Sequence, residues 1–121
     1  MPRIAVIDDD PNIRELLRIH LSRIGLTVEV FPDAASGIRS ILERPPNLLV
    51  LDLMLPDLGG LEVLQALKGD AATKHMPVVV LTSRKDDDTM VQAKRLGADL
   101  FLTKPIRREE LIEGVLNKLY A

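Results

Sequence analysis

Asp52 ends the run Asn47-Leu48-Leu49-Val50-Leu51-Asp52, and Asp8-Asp9-Asp10 end the run Arg3-Ile4-Ala5-Val6-Ile7. Unbroken apolar runs of this length read as strands buried on both faces of a parallel sheet. Acids at their carboxyl ends fall where open α/β sheets place ligand sites. If the two strands are neighbours, about 4.8 Å separates them, and at least three carboxylates share one small cleft. Like charges this close repel, at a cost of several kcal/mol in a partly desolvated site, unless positive charge intervenes. A hard divalent cation with oxygen ligands is the simplest remedy. Two further runs end in useful groups, Val78-Val79-Val80-Leu81 in Thr82-Ser83 and residues 99–103 in Lys104-Pro105. Carboxylates, a hydroxyl and an ammonium at one sheet edge are the parts of a phosphoryl-transfer site. A carboxylate can be the nucleophile, and a cation and a lysine can neutralise the transferring oxygens.

Strands and helices alternate along the whole chain. Strands are expected at about 3–8, 27–31, 48–52, 78–81 and 99–103, and helices at about 11–24, 33–44, 60–68, 86–97 and 107–120. Pro11 suits a first helical turn and Gly25 a helix end. The first helix shows an apolar face of Ile13, Leu16, Leu17, Leu21 and Ile24. The second shows Ala34, Ile38, Ile41 and Leu42, the third Val63, Leu64 and Leu67, and the last Leu111, Ile112, Val115, Leu116 and Leu119. Five βα units in 121 residues imply one domain over 1–121, an α/β three-layer sandwich around a five-stranded parallel sheet. The pattern places the 27–31 strand at an edge and the two acid-ended strands side by side, and leaves the remaining order open.

Composition narrows the function. At 46% hydrophobic, the chain can build a core without staples, and with no cysteine it has neither disulfide nor thiolate chemistry. A net charge of −2 provides no basic field for nucleic acid. No apolar run approaches the roughly 20 residues that span a bilayer. The chain opens directly on a strand with no leader-like segment, so a cytoplasmic location is expected.

Taken together, Ile7-Asp8-Asp9-Asp10, Leu51-Asp52-Leu53-Met54-Leu55-Pro56-Asp57, Leu81-Thr82-Ser83-Arg84, Gly97-Ala98-Asp99 and Thr103-Lys104-Pro105 resemble the receiver domains of two-component response regulators. The resemblance runs from the first strand to the last helix. It implies the flavodoxin-like strand order 2-1-3-4-5. It implies that Asp52 accepts a phosphoryl group from a phosphohistidine of a sensor kinase or histidine phosphotransfer protein. Asp8, Asp9 and Asp52, with the backbone carbonyl of Met54, would bind Mg²⁺. Lys104 would pair with Asp52 at rest and with the phosphoryl oxygens afterwards. Thr82 and Phe101 would form the switch, Met54 and Arg84 would tune the lifetime of the phosphoryl group, and the Lys104-Pro105 bond would be cis. The expected activity is self-phosphorylation and autodephosphorylation only, not that of a conventional enzyme. A phosphorylation-dependent homodimer through the fourth helix, fifth strand and fifth helix is also implied. Met54-Leu55-Pro56 and Thr82-Ser83-Arg84 are similar to the receivers of winged-helix transcription regulators, whereas Leu100 departs from the acid often found there. Gly59-Gly60 replaces a more usual Asp-Gly and is expected to loosen its loop.

Blander roles compete at single positions. Asp10 suits a cap of the first helix. Asp86, Asp87 and Asp88 read as a solvated helix start favoured by the macrodipole. His20 and His75 read as structural or exposed, and Arg107-Arg108 as a solvated pair. A hydrolase with an aspartyl nucleophile would usually need an acid two residues after it, where Met54 stands, and room for a cap. A flavin carrier would need a phosphate loop in place of Asp8-Asp9-Asp10, and stacking aromatics that are missing. A degenerate receiver would lack some of Asp8, Asp9, Asp52, Thr82 and Lys104.

Overall fold

A computed structural model describes residues 1–121. The elements alternate as β1 (Arg3–Ile7), α1 (Pro11–Arg23), β2 (Thr27–Phe31), α2 (Ala34–Glu43), β3 (Leu48–Leu51), α3 (Gly60–Gly69), β4 (Val78–Thr82), α4 (Asp87–Arg95), β5 (Leu100–Thr103) and α5 (Arg108–Leu119). All strands pair in parallel in the order β2-β1-β3-β4-β5. This is the flavodoxin-like arrangement that the family resemblance implies, with β2 and β5 at the edges.

The continuous apolar runs follow from the period of a strand. Successive side chains point to opposite faces, so a strand covered on both sides needs apolar residues at every position. Ile4 and Val6 of β1, Leu48 and Val50 of β3, and Val79 and Leu81 of β4 face a core completed by Leu17 and Leu21 of α1 and Leu111 and Val115 of α5. The intervening Ala5, Ile7, Leu49, Leu51, Val78 and Val80 face the other way. They meet Ala34 and Ile41 of α2, Val63, Leu64 and Leu67 of α3, and Ala93 of α4. Each fully buried Leu, Ile or Val contributes about 1.5–3 kcal/mol, and the three central strands supply most of them.

The helix ends follow local chemistry. Pro11 opens α1, where its missing N–H costs nothing, and Asp10 caps it by accepting from the Asn12 N–H at 2.9 Å. Gly25 and Gly97, just past α1 and α4, adopt φ of +89° and +105°, the left-handed region that a side chain disfavours. Asp86 caps α4 through the Thr89 N–H at 3.0 Å.

Three apolar-face assignments are corrected. Leu16, Ile24 and Leu42 are 38–43% exposed rather than packed. Leu16 and Leu42 lie on the flank of their helix stripes and Ile24 is the C-cap just past α1, while the sheet beneath is covered by Leu17, Leu21 and Ile41. Of the Gly59-Gly60 pair, the second glycine is the tightly packed one. The Gly60 N–H donates to the Leu53 carbonyl at 2.9 Å, and a Cβ there would lie 2.3 Å from Leu53 Cα and 2.7 Å from the Asp52 carbonyl oxygen. Gly60 is thus a close approach that pins the start of α3 against the backbone following β3.

A candidate phosphoacceptor site at the sheet edge

The strand order reverses direction at β1. α1 leads from β1 to β2 on one face, and α2 leads back past β1 to β3 on the other, so the connections diverge and leave a crevice at the carboxyl ends of β1 and β3. Asp8 and Asp52 follow the last residues of those strands. The Ile7–Leu51 register and the bond from the Asp52 N–H to the Ile7 carbonyl, at 2.9 Å, set them side by side. Both are nearly inaccessible, at 2% and 5% exposure, whereas Asp9 stands exposed at the rim.

Each buried carboxylate is held by its own turn. Asp8 Oδ1 accepts from the Asp10 N–H at 2.9 Å, and Asp52 Oδ1 accepts from the Met54 N–H at 3.0 Å. The remaining oxygens converge on one cation. Lys104 Nζ lies 2.8 Å from Asp8 Oδ2 and 3.0 Å from Asp52 Oδ2. Lys104 reaches this point because β5 pairs with β4 and its N–H donates to the Thr82 carbonyl at 2.9 Å. The Lys104-Pro105 peptide bond is cis.

The electrostatics reflect two buried acids sharing one ammonium. Burial pushes the Asp8 carboxyl above its ordinary pKa. The Lys104 and Asp10 hydrogen bonds offset this only in part, and the Asp52 charge adds to it. Burial also disfavours the charge on Lys104, but hydrogen bonds to Asp8 and Asp52, with their charges, more than offset it and leave that pKa raised. One oxygen from each of Asp8, Asp9 and Asp52 lies within 4.8 Å of the others. An all-oxygen donor set with surplus negative charge fits a hard divalent cation.

The site opens to solvent through a cleft of about 580 Å³ lined by Asp9, Asp10, Asp52, Met54, Leu55, Pro56, Ser83 and Lys104. Thr82 is fully buried at the end of β4, and its Oγ1 accepts from the Arg84 N–H at 3.3 Å instead of lining the cleft. Arg84 lies outside as well, paired with Asp86 at 3.2 Å. Phe101 is part-buried against the core on the α2–α3–α4 face. The structure therefore gathers Asp8, Asp9, Asp52, Met54 and Lys104, and leaves Thr82, Arg84 and Phe101 outside the opening.

Supporting groups went unread in the sequence. Arg14 Nη1 donates to the Asp8 carbonyl at 2.8 Å from the first turn of α1. Asp57 accepts from the N–H groups of Ala34 and Ala35, at 2.9 and 3.0 Å, tying the loop after β3 to the start of α2. These bonds hold its carboxyl below the usual range. The reach of Lys104 to Asp8 was missed too. Only the Asp57 role had a local signal, an acid in a Pro-containing loop beside a helix N-terminus.

A family model described as the response regulator receiver domain matches residues 4–116. The chain belongs to this receiver family. Two curated relatives are 40% identical: the DNA-binding dual master transcriptional regulator RpaA of Synechocystis over 95% of this chain, and the transcriptional regulatory protein KdpE of Mycobacterium tuberculosis over 93%. The receiver spans about half their length, 48% of each. A solved CheY-like receiver domain protein from Methanospirillum hungatei superposes with a TM-score of 0.93 at 28% identity, covering 98% of this chain and 94% of that one. The chain is thus a phosphoryl-accepting switch domain of two-component signalling, of a family that interacts with sensor kinases. No helix is long and apolar enough to cross a membrane.

Proposed function

We propose that Asp52 is the phosphoacceptor of a single receiver domain over residues 1–121. Asp8, Asp9 and Asp52, with the Met54 backbone carbonyl, would hold Mg²⁺, which when bound would supply charge neutralisation for the transferring oxygens. An Asp52 oxygen attacks the phosphorus of a phosphohistidine, the phosphorus–nitrogen bond breaks, and the imidazole leaves. Lys104 releases Asp8 and follows the transferred oxygens, so that one ammonium serves the resting and the phosphorylated states. Thr82 then rotates from its bond with the Arg84 N–H toward the phosphoryl group, Phe101 follows it inward, and α4 and β5 are re-posed. Met54 and Arg84 tune the lifetime of the adduct.

The observation that carries this reading is the Asp8–Lys104–Asp52 bridge, with Asp9 open beside it. The phosphodonor is a sensor histidine kinase or histidine phosphotransfer protein, and the domain works in the cytoplasm. Its own chemistry is self-phosphorylation and autodephosphorylation. The output is a partner or domain of the DNA-binding kind, in line with the names of its relatives, and the receiver itself makes no nucleic-acid contact. Activation favours a homodimer through α4, β5 and α5. The test is labelling by a small phosphodonor with and without Mg²⁺. Stoichiometric, base-labile incorporation that needs Mg²⁺ and is lost in Asp52→Asn is expected; continuous turnover of phosphoesters would favour a hydrolase instead.

A further inference from the structure

Met54 places a thioether beside the proposed nucleophile. Its side chain is 51% exposed and lines the same opening as Asp52, Ser83 and Lys104. Its backbone N–H holds Asp52 Oδ1, and its Sδ accepts from the Ser83 hydroxyl at 3.6 Å. The other methionines sit elsewhere: Met76 is 6% exposed, Met90 is part-buried on α4, and Met1 is at the exposed N-terminus.

We infer that Met54 is a reversible oxidation site through which hydroperoxides slow phosphoryl transfer to Asp52. The inference rests on Asp52 being the phosphoacceptor. In the reaction, a sulfur lone pair attacks the outer peroxide oxygen and the O–O bond breaks. Sulfur is oxidised by two electrons to the sulfoxide, and the peroxide is reduced to water, or to an alcohol when it is organic. The product replaces a weak acceptor with a strong one that has no donor of its own. Two donors line the opening, the Ser83 hydroxyl and the Lys104 ammonium, and Lys104 is the group proposed to follow the incoming phosphoryl oxygens. The sulfoxide oxygen competes for them and presents the negative end of its dipole to an arriving phosphoanion.

The protein is treated with limiting hydrogen peroxide, oxidation at each methionine is read by peptide mass, and the rate of labelling by a small phosphodonor with Mg²⁺ is compared before and after. Met54 is expected to oxidise ahead of Met90 and Met76. The rate is expected to fall roughly threefold or more, the scale of one competing hydrogen bond at the reacting site, and to return after treatment with methionine sulfoxide reductases. Met54→Leu, which retains the other three methionines, is compared with its own untreated rate and should not respond to peroxide. Oxidised Met54 with an unchanged rate, or an equal loss in Met54→Leu, overturns the inference alone. Untreated protein that takes up no label, or Asp52→Asn that labels normally, overturns the Asp52 assignment and the inference with it.

Discussion

At the scale of single residues, function turns on an unequal charge count. Three carboxylates converge where Lys104 is the one cation within ion-pair distance of Asp8 and Asp52. Removing one partner of a buried pair leaves uncompensated charge, typically worth 3–5 kcal/mol. Lys104→Ala should therefore lower stability by about 3 kcal/mol in metal-free buffer, with much of the loss recovered in millimolar Mg²⁺, because the ion takes over neutralisation of the acids. Urea denaturation with and without Mg²⁺ checks this, and an equal loss in both would show that Lys104 does not share the site with the metal. The same variant should retain metal binding and lose the coupling between phosphorylation and output. The site acids were legible because each follows an apolar strand, and Lys104 because it ends the last one. The second partner of Lys104 was not legible, since the 2.8 Å contact to Asp8 depends on the β1–β3 register and on the path of the chain after β5, neither of which is a local property.

At the scale of elements, the ends of α3 and α4 make opposite predictions. α3 starts at Gly59 with no side-chain cap, although Glu62 stands three residues on. Gly59 has φ of −61° and ψ of 139°, open to any residue. Gly59→Ser should complete a capping box and reduce the freedom of the unfolded chain, for a gain of about 0.5–1 kcal/mol by thermal or chemical denaturation. Gly60→Ala should instead cost several times that gain, because its Cβ would meet backbone on both sides of the Asp52–Leu53 peptide bond. Two adjacent glycines that look alike in the sequence differ in this way because only the second lies against the backbone that follows β3. At α4, the Thr89 hydroxyl and N–H, aided by Arg84, lower the Asp86 carboxyl from 3.8 to about 2. A depressed folded-state pKa means that its contribution is present above about pH 4 and is lost as pH falls through about 2. Asp86→Ala should therefore be less stable at neutral pH and show a flatter stability profile between pH 4 and 2. An unchanged profile would remove Asp86 from the cap.

At the scale of the whole molecule, the two core clusters explain why so much was readable. A strand buried on both faces announces itself as an uninterrupted apolar run, and β1, β3 and β4 are all of this kind. The edges are less distinct. The residues of β5 are part-buried or exposed, and Leu16, Ile24 and Leu42 fit an amphipathic pattern yet face solvent, because pattern does not report where the sheet beneath ends. The strand order came from the family resemblance rather than from periodicity. That order places the crevice where Asp8, Asp9 and Asp52 meet, with Asp52, rather than Asp8, Asp9, Asp10 or Asp57, the proposed selection as phosphoacceptor. The account's central claim is that selection. Phosphorylated protein reduced with borohydride converts an aspartyl phosphate to homoserine, which peptide mapping can locate. Homoserine at position 52 alone is the predicted result; homoserine at 8, 9, 10 or 57, with position 52 untouched, would contradict the account.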